Sequence, residues 1–269
     1  MPAHHRTSTL SAFLGGGPAL LPMDLAAEYL RGRIWHVLPP FLLAVGPLSA
    51  AVLVAIDVSA TQHRAAVAEA GVFLTVATIW RWVWLAVVQR RVQADLRGRP
   101  PAKLRRRIVP ILLVRLFAFF AVVWGWFLIV PAFYGLLLGG LAAPMMLERQ
   151  GPAWNQTRDA LVWVHKSAGR LLKVTSALLV LALLTVVSVV ALQLLLVNMI
   201  LPSILGVDTA DLALTVQSVS WVLCVLYFLF VVFDLYWTVL SVMLYYDLQS
   251  RRLGTDLRSR LIDQEQHAA

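Results

Sequence analysis

Long apolar runs alternate with short polar connections along this chain, and the connections are mostly basic. The runs cover residues 34–56, 72–88, 108–147, 174–201 and 218–245. Most approach or exceed the roughly 20 residues with which a helix crosses a bilayer core. They lack the two-residue alternation of a barrel strand, so the predicted elements are transmembrane helices. The run 108–147 is too long for one ordinary span, because about 1.5 Å of rise per residue overshoots the bilayer.

Charge decides how that run is divided. The connection before it holds Arg90, Arg91, Arg97, Arg99, Lys103, Arg105, Arg106 and Arg107, and the one after it holds Arg149, Arg158, Lys166, Arg170 and Lys173. Short basic connections stay cytoplasmic, so the chain crosses an even number of times between them. A hairpin turning near Pro131 satisfies this, since proline removes a backbone donor and clashes with the preceding helical turn. The second arm, 132–147, is short and contains Gly139-Gly140. It is expected in a thinned region or in close contact with a neighbour through its small residues.

The outer elements follow. Gly15-Gly16-Gly17-Pro18 breaks any helix near the start, so 1–22 reads as a flexible cytoplasmic tail rather than a signal peptide. Residues 23–33 read as a short surface helix with Leu25, Tyr29 and Leu30 on one side. The connection with Asp208 and Asp211 has no basic residue and is placed outside, and 249–269 is a basic cytoplasmic tail. All of the 23 basic residues except Arg64, Arg81 and Arg115 fall on the cytoplasmic side of this arrangement. The expected fold is an all-α, polytopic membrane bundle over 23–248. It has six transmembrane helices, interfacial amphipathic helices before span one and between spans four and five, and both termini inside.

Composition agrees. The chain is 60% hydrophobic and 14% charged with a mean hydropathy of +0.77, which leaves too few charges to coat a soluble domain. A net charge of +9 would suggest nucleic acid in a soluble protein; confined to short loops it follows from membrane topology, and no nucleic-acid partner is expected. The single cysteine, Cys224, permits no internal disulfide and reads as a packing residue.

Charges inside spans are the first place to look for chemistry. Arg81 lies about seven residues in from the cytoplasmic end of span two (72–88) and Asp234 deep in span six, and the two could meet near mid-membrane. Such a pair would be a substrate, proton or headgroup site, or a structural tie between helices, and buried pairs are often structural. Arg115 sits near the cytoplasmic end of span three, which is its start, and is expected to snorkel to the interface. Residues 155–173 have helical periodicity, with Leu161, Val164, Ala168, Leu171 and Leu172 on one side. Arg158, His165, Lys166, Arg170 and Lys173 lie on the other, the pattern of a helix on an anionic surface; Arg158, Lys166, Arg170 and Lys173 are its candidate headgroup contacts. His165 has no second ligand at metal spacing, so neither a metal nor a cofactor is expected. Trp35, Trp154 and Trp163 suit an interfacial belt; Trp80, Trp82, Trp84, Trp124 and Trp126 are dense enough to line a cavity, although packing between helices is the favoured role. No HExxH, GxSxG or phosphate-cradling loop is present, so the chain reads as non-enzymatic.

Three segments together resemble a known family. They are Asp95-Leu96-Arg97-Gly98-Arg99-Pro100 with the basic stretch after it, Ala143-Pro144-Met145-Met146-Leu147-Glu148 leading into the Asp159-Ala160-Leu161 segment, and Leu244-Tyr245-Tyr246-Asp247-Leu248 followed by 251–257. In this order they are similar to bacterial six-helix membrane proteins related to the membrane domain of glycerophosphoryl diester phosphodiesterases. The resemblance covers roughly 30–262, and the closing segment is its most specific part. It implies the six-helix fold; no soluble phosphodiesterase domain follows here, so that activity is not implied.

The function expected is a non-catalytic scaffold or accessory subunit of the bacterial inner membrane, in an envelope or lipid-related process. Its partners would be membrane phospholipid and a protein at the cytoplasmic loops. The alternative is a transporter or lipid-handling protein with a polar site in mid-membrane.

Overall fold

The computed structural model describes residues 20–61, 64–97, 104–125, 129–148, 152–201, 203 and 219–268, all of which lie in helices or the turns that join them. Seven helices are present among them: α1 Leu21–Thr61, α2 Arg64–Arg97, α3 Ile108–Gly125, α4 Ile129–Glu148, α5 Ala153–Lys166, α6 Ala168–Leu195 and α7 Val219–Ala268. A 3-10 turn, Leu104–Arg106, precedes α3, and a π-helical turn, Leu196–Ile200, extends α6. The tail up to residue 19, the connection with Asp208 and Asp211, and the side chains of Trp124, Trp126, Arg252, Arg258 and Arg260 lie outside the described residues.

Four stretches are long and apolar enough to cross a membrane: Leu21–Ile56, Ala65–Arg97, Ala168–Ile200 and Trp221–Arg251. The apolar parts of α3 and α4 are shorter, Ile108–Val123 and Tyr134–Glu148. The run 108–147 is thus divided in two as expected, into helices described over Ile108–Gly125 and Ile129–Glu148 that pack antiparallel. Pro131 sits in the first turn of α4, where no backbone donor is needed, and so starts the helix instead of ending one.

The chain forms two compact units, one of residues 1–171 with 236–269 and one of 172–235. In the larger unit α2 is the strut against which the others are set. Gln89 reaches Gly140 O, Gln93 reaches Pro144 O and Arg97 reaches Glu148, each across 51 residues. A constant offset over three successive turns means that α2 and α4 run parallel and in register. The middle of α7 joins them in the same direction, because Gln89 also bonds Ser241 and Arg97 covers the Tyr246 ring. α1 runs the other way along α2, with Arg91 on His36 O and Trp80 on Leu43 O.

α3 packs antiparallel on α4 through Gly135 and Gly139, one helical turn apart. A β-carbon on Gly135 would lie 2.9 Å from the Ala118 carbonyl oxygen and 3.0 Å from Ala121 Cβ, and one on Gly139 would lie 3.3 Å from Ala118 Cβ. Gly140 faces α7 instead, where an added carbon would meet Trp237 and Ser241 at 3.2 and 3.3 Å. Three glycines therefore let α4 approach two helices closely, the small-residue packing that membrane helices use.

α1 breaks its helical geometry at Arg33 (φ −139°, ψ 21°), at the junction where the sequence separates surface helix from span. The arm before the break bridges two helices: Tyr236 on α7 donates to Met23 O, and Tyr29 donates to Asp95 on α2, both at 2.8 Å. α5 turns back along α4, since His165 near its end meets Tyr134 near the start of α4 at 3.0 Å.

In the smaller unit, residues 172–200 of α6 and 219–235 of α7 carry mostly exposed large apolar side chains, among them Leu179, Leu183, Leu184, Phe228 and Val232. Water penalises such a surface and acyl chains do not.

Candidate functional site

Prolines inside helices explain much of the larger unit's polar chemistry. Proline has no N–H, so the carbonyl four residues earlier loses its helical donor, and in lipid an unsatisfied carbonyl is costly. Pro40 frees the carbonyl of His36, which accepts Arg91 Nη1 at 3.0 Å. Pro47 frees that of Leu43, which accepts Trp80 Nε1 at 2.9 Å. Pro144 frees that of Gly140, which lies 3.4 Å from Gln89 Nε2. In each case the replacement donor comes from α2.

Around Gln89 this becomes a buried network. Arg115 on α3 donates to Gln89 Oε1 at 2.7 Å and to the Trp82 carbonyl. Gln89 Nε2 donates to Ser241 Oγ at 2.8 Å, and Ser241 Oγ donates to Thr238 O at 2.8 Å. Gln93 Nε2 donates to Pro144 O at 2.8 Å one turn further along. Arg115, Gln89, Gln93, Thr238 and Ser241 are all buried. The network joins α2, α3, α4 and α7.

Where α2 and α4 end, beside residues 246–251 of α7, ion pairs take over. Glu148 receives Arg97 and Gln249, the latter at 3.0 Å. Asp247, 1% exposed, receives Arg170 Nη2 at 3.1 Å and Arg251 Nε at 3.2 Å, with Arg170 Nε 2.8 Å from its second oxygen. Asp95 holds Tyr29 at 2.8 Å and Arg33 at 3.2 Å, with His36 Nε2 3.7 Å away. Together these ties fix the arm of α1, the end of α4 and the start of α6 to one end of the bundle.

The residues expected from sequence separate into three groups. Arg115 does not snorkel; it turns inward, because Gln89 and a backbone carbonyl satisfy it within the bundle. Arg170 is likewise held by Asp247, whereas Arg158, Lys166 and Lys173 are exposed. Arg81 is half-buried in the larger unit, and Asp234 is buried in the smaller one. Trp35 and Trp154 are exposed by 81% and 77%, as interfacial residues would be, but Trp163 is buried and stacks on Tyr245 at 5.9 Å. Trp80 packs at 5.9 Å on Trp84, and Trp82 packs on Phe119 at 6.0 Å, so the described tryptophans of this group make helix contacts. Among the described residues no group of three or more His, Cys, Asp or Glu could hold a metal.

Gln89, Gln93 and Ser241 carry no charge and do not stand out along the sequence, and Asp247 stands out only as part of the closing segment. The available sign was a proline within an apolar run, which marks a carbonyl four residues back in need of a donor. Arg115→Ala removes two donors from this network. It is expected to cost about 1–2 kcal/mol, the scale of an interhelical hydrogen bond in a membrane protein. Gln89→Ala should cost a similar amount, with the double variant less than additive because the two share a bond. Unfolding titrations in mixed micelles measure this, and a wild-type midpoint for R115A would refute the role of the network. Compared with known proteins, the chain matches no family model, no curated protein and no solved structure.

Proposed function

We propose that this chain is a non-catalytic integral membrane protein, a scaffold or accessory subunit in a bacterial envelope or lipid-related process. The observation that carries this reading is the use of the buried polar groups. Arg115, Gln89, Gln93 and Ser241 are bonded to one another and to carbonyls of neighbouring helices. Groups used in this way tie helices together and are not aimed at a substrate. Kinship with the membrane domain of glycerophosphoryl diester phosphodiesterases belongs to the proposal and rests on the closing segment, in which Tyr245, Tyr246 and Asp247 all take part in helix contacts.

The protein lies in the inner membrane with both termini in the cytoplasm. An even number of crossings gives this orientation: six if the α3–α4 pair traverses, four if it returns. The ends of α2 and α4, with residues 246–251 of α7, then form the cytoplasmic face, where Arg90, Arg91, Arg97 and Arg251 collect in accord with the positive-inside rule.

Phospholipid headgroups are the proposed partner of α5. Its protein-facing side is Gln156, Ala160, Trp163 and Val164, and its outer side is Trp154, Arg158, Leu161, Val162, His165 and Lys166. Exposed tryptophan and leucine among cations suit the anionic interface. A second reading, handling of a lipid or solute, draws on Asp234, a carboxylate 8% exposed within an apolar helix.

Purification from native membranes in mild detergent, with mass spectrometry of bound protein and lipid, tests the choice. A protein partner in near-equal amount is expected. A single lipid class without a partner would favour the second reading, and lipid turnover by the purified protein would overturn the non-catalytic one. In nanodiscs, R158Q/K166Q is expected to lose the wild type's preference for phosphatidylglycerol over phosphatidylcholine at unchanged thermal stability. Retained preference would remove α5 from the headgroup role.

A further inference from the structure

We infer that α3 and α4 form a re-entrant hairpin that enters the bilayer from the end at which α2 and α4 finish, reaches about half its depth and returns. On this inference the phenylalanine-rich face of α3 is a surface for the acyl chains of that one leaflet. The inference rests on the membrane reading of α1, α2, α6 and α7 and goes beyond it.

Register carries the argument. The offset of 51 residues between α2 and α4 holds at three successive contacts. At that offset Ile129, the first residue of α4, comes level with Thr78 of α2. α2 continues past this level to Arg64. The apolar part of α2 is bounded by Glu69 on one side and by Gln89, Arg90 and Arg91 on the other, so it matches one bilayer core in length. Thr78 lies about 12 Å inside its far end, at about 1.5 Å per residue. The hairpin therefore accompanies α2 through only about 15 Å of a core roughly 30 Å thick.

The rest of α4 lies beyond the apolar zone. Pro144 and Glu148 are level with Gln93 and Arg97, among polar side chains. The Gly135 and Gly139 contacts hold α3 beside α4 over the same depth, so α3 penetrates no further. Its outward side presents Leu113, Leu116, Phe117 and Phe120, with Phe117 exposed by 63%. At this depth the only solvent for such a side is lipid. A returning hairpin also makes no net crossing, so it keeps both basic connections on one side as well as two full spans would.

Cysteine labelling in the full-length protein tests this, with Cys224→Ala as background. Ala65→Cys, at the far end of α2, and Arg105→Cys, before α3, are both exposed and serve as references. With a membrane-impermeant maleimide in vesicles of defined sidedness, A65C and R105C are expected to react from opposite sides. G125C and I129C are expected to react from the Arg105 side or from neither, and fully once solubilised in detergent. Reaction of G125C or I129C from the Ala65 side would mean that the pair crosses, and the inference would be wrong. If A65C and R105C reacted from the same side, α2 itself would not cross, and the membrane reading would fail together with the hairpin. Bimane attached at F117C reports the lipid contact and is expected to lose fluorescence in bilayers carrying mid-chain nitroxide lipids. Full fluorescence there would mean that protein covers the face, and would overturn the leaflet surface.

Discussion

Gly135→Leu is expected to leave little or no monodisperse protein after extraction in mild detergent. The space beside Gly135 is closed by a backbone atom: an added β-carbon would lie 2.9 Å from the Ala118 carbonyl oxygen, with Ala121 Cβ at 3.0 Å and Val122 Cγ2 at 3.1 Å. A carbonyl oxygen within a helix cannot swing aside as a side chain can, so all of α3 must move. That movement would also displace Arg115 from Gln89 and the Trp82 carbonyl. Gly135→Ala should be survivable but costly, at about 2 kcal/mol on the scale of overpacked cores. Gly140→Ala should cost less, because its neighbours are the side chains of Trp237 and Ser241, and Gly139→Ala less again, with one contact at 3.3 Å. Gly46→Ala and Gly71→Ala meet nothing within 4 Å. They should be neutral or stabilising by up to about 1 kcal/mol through helix propensity. Thermal midpoints of the series in one detergent measure this order, and equal midpoints for G135A and G46A would discard the close approach of α3 and α4.

Asp247→Asn should destabilise the protein by about 3 kcal/mol or more, in the range found when one partner of a buried ion pair is removed. Asp247 is 1% exposed and the Arg170 side chain 17%, so the arginine left behind would keep its charge with little water to solvate it. Arg251, the second contact of Asp247, is more exposed at 35% and would suffer less. The double variant R170M/D247L removes both charges and should recover most of the loss, because apolar replacement of a buried pair is often neutral. Raising the salt concentration should not weaken the wild type appreciably, since buried pairs are poorly screened. Denaturation of the two single variants and the double variant forms the cycle. A D247N protein as stable as the wild type would show that the start of α6 is held by other contacts.

Some of this architecture could be read along the chain. Hydrophobic runs and the absence of alternation establish helices with lipid as the outer solvent, because burial of the backbone in hydrocarbon permits little else. The division of 108–147 into two helices and the break at Arg33 also follow from local residues, since proline, glycine and charge act on the backbone next to them. Trp35 and Trp154 could be assigned to exposed positions because an amphipathic ring at a helix end has few alternatives.

Partners across space were not legible. Arg115 looked like a snorkelling residue because its distance from a helix end is a property of the sequence. That Gln89 waits beside it is a property of how α2 and α3 pack. Arg170 belonged to a basic helical face until Asp247, 77 residues away, claimed it. Trp163 left the interface for Tyr245 for the same reason. The sequence alone determined that the long apolar runs are helical and which solvent surrounds them, because those outcomes depend on neighbouring residues and on average polarity; it did not show the break at Ser167 within 155–173 or the continuation of α7 to Ala268. Only the tertiary structure decided which carbonyls freed by proline meet which donors, which arginines are held inside, and how deep α3 and α4 reach relative to α2. Those outcomes depend on the register between helices: small residues at Gly139 and Gly140 announce close packing, but not that Gly139 meets α3 and Gly140 meets α7, nor that Gln89, Gln93 and Arg97 set α4 on α2.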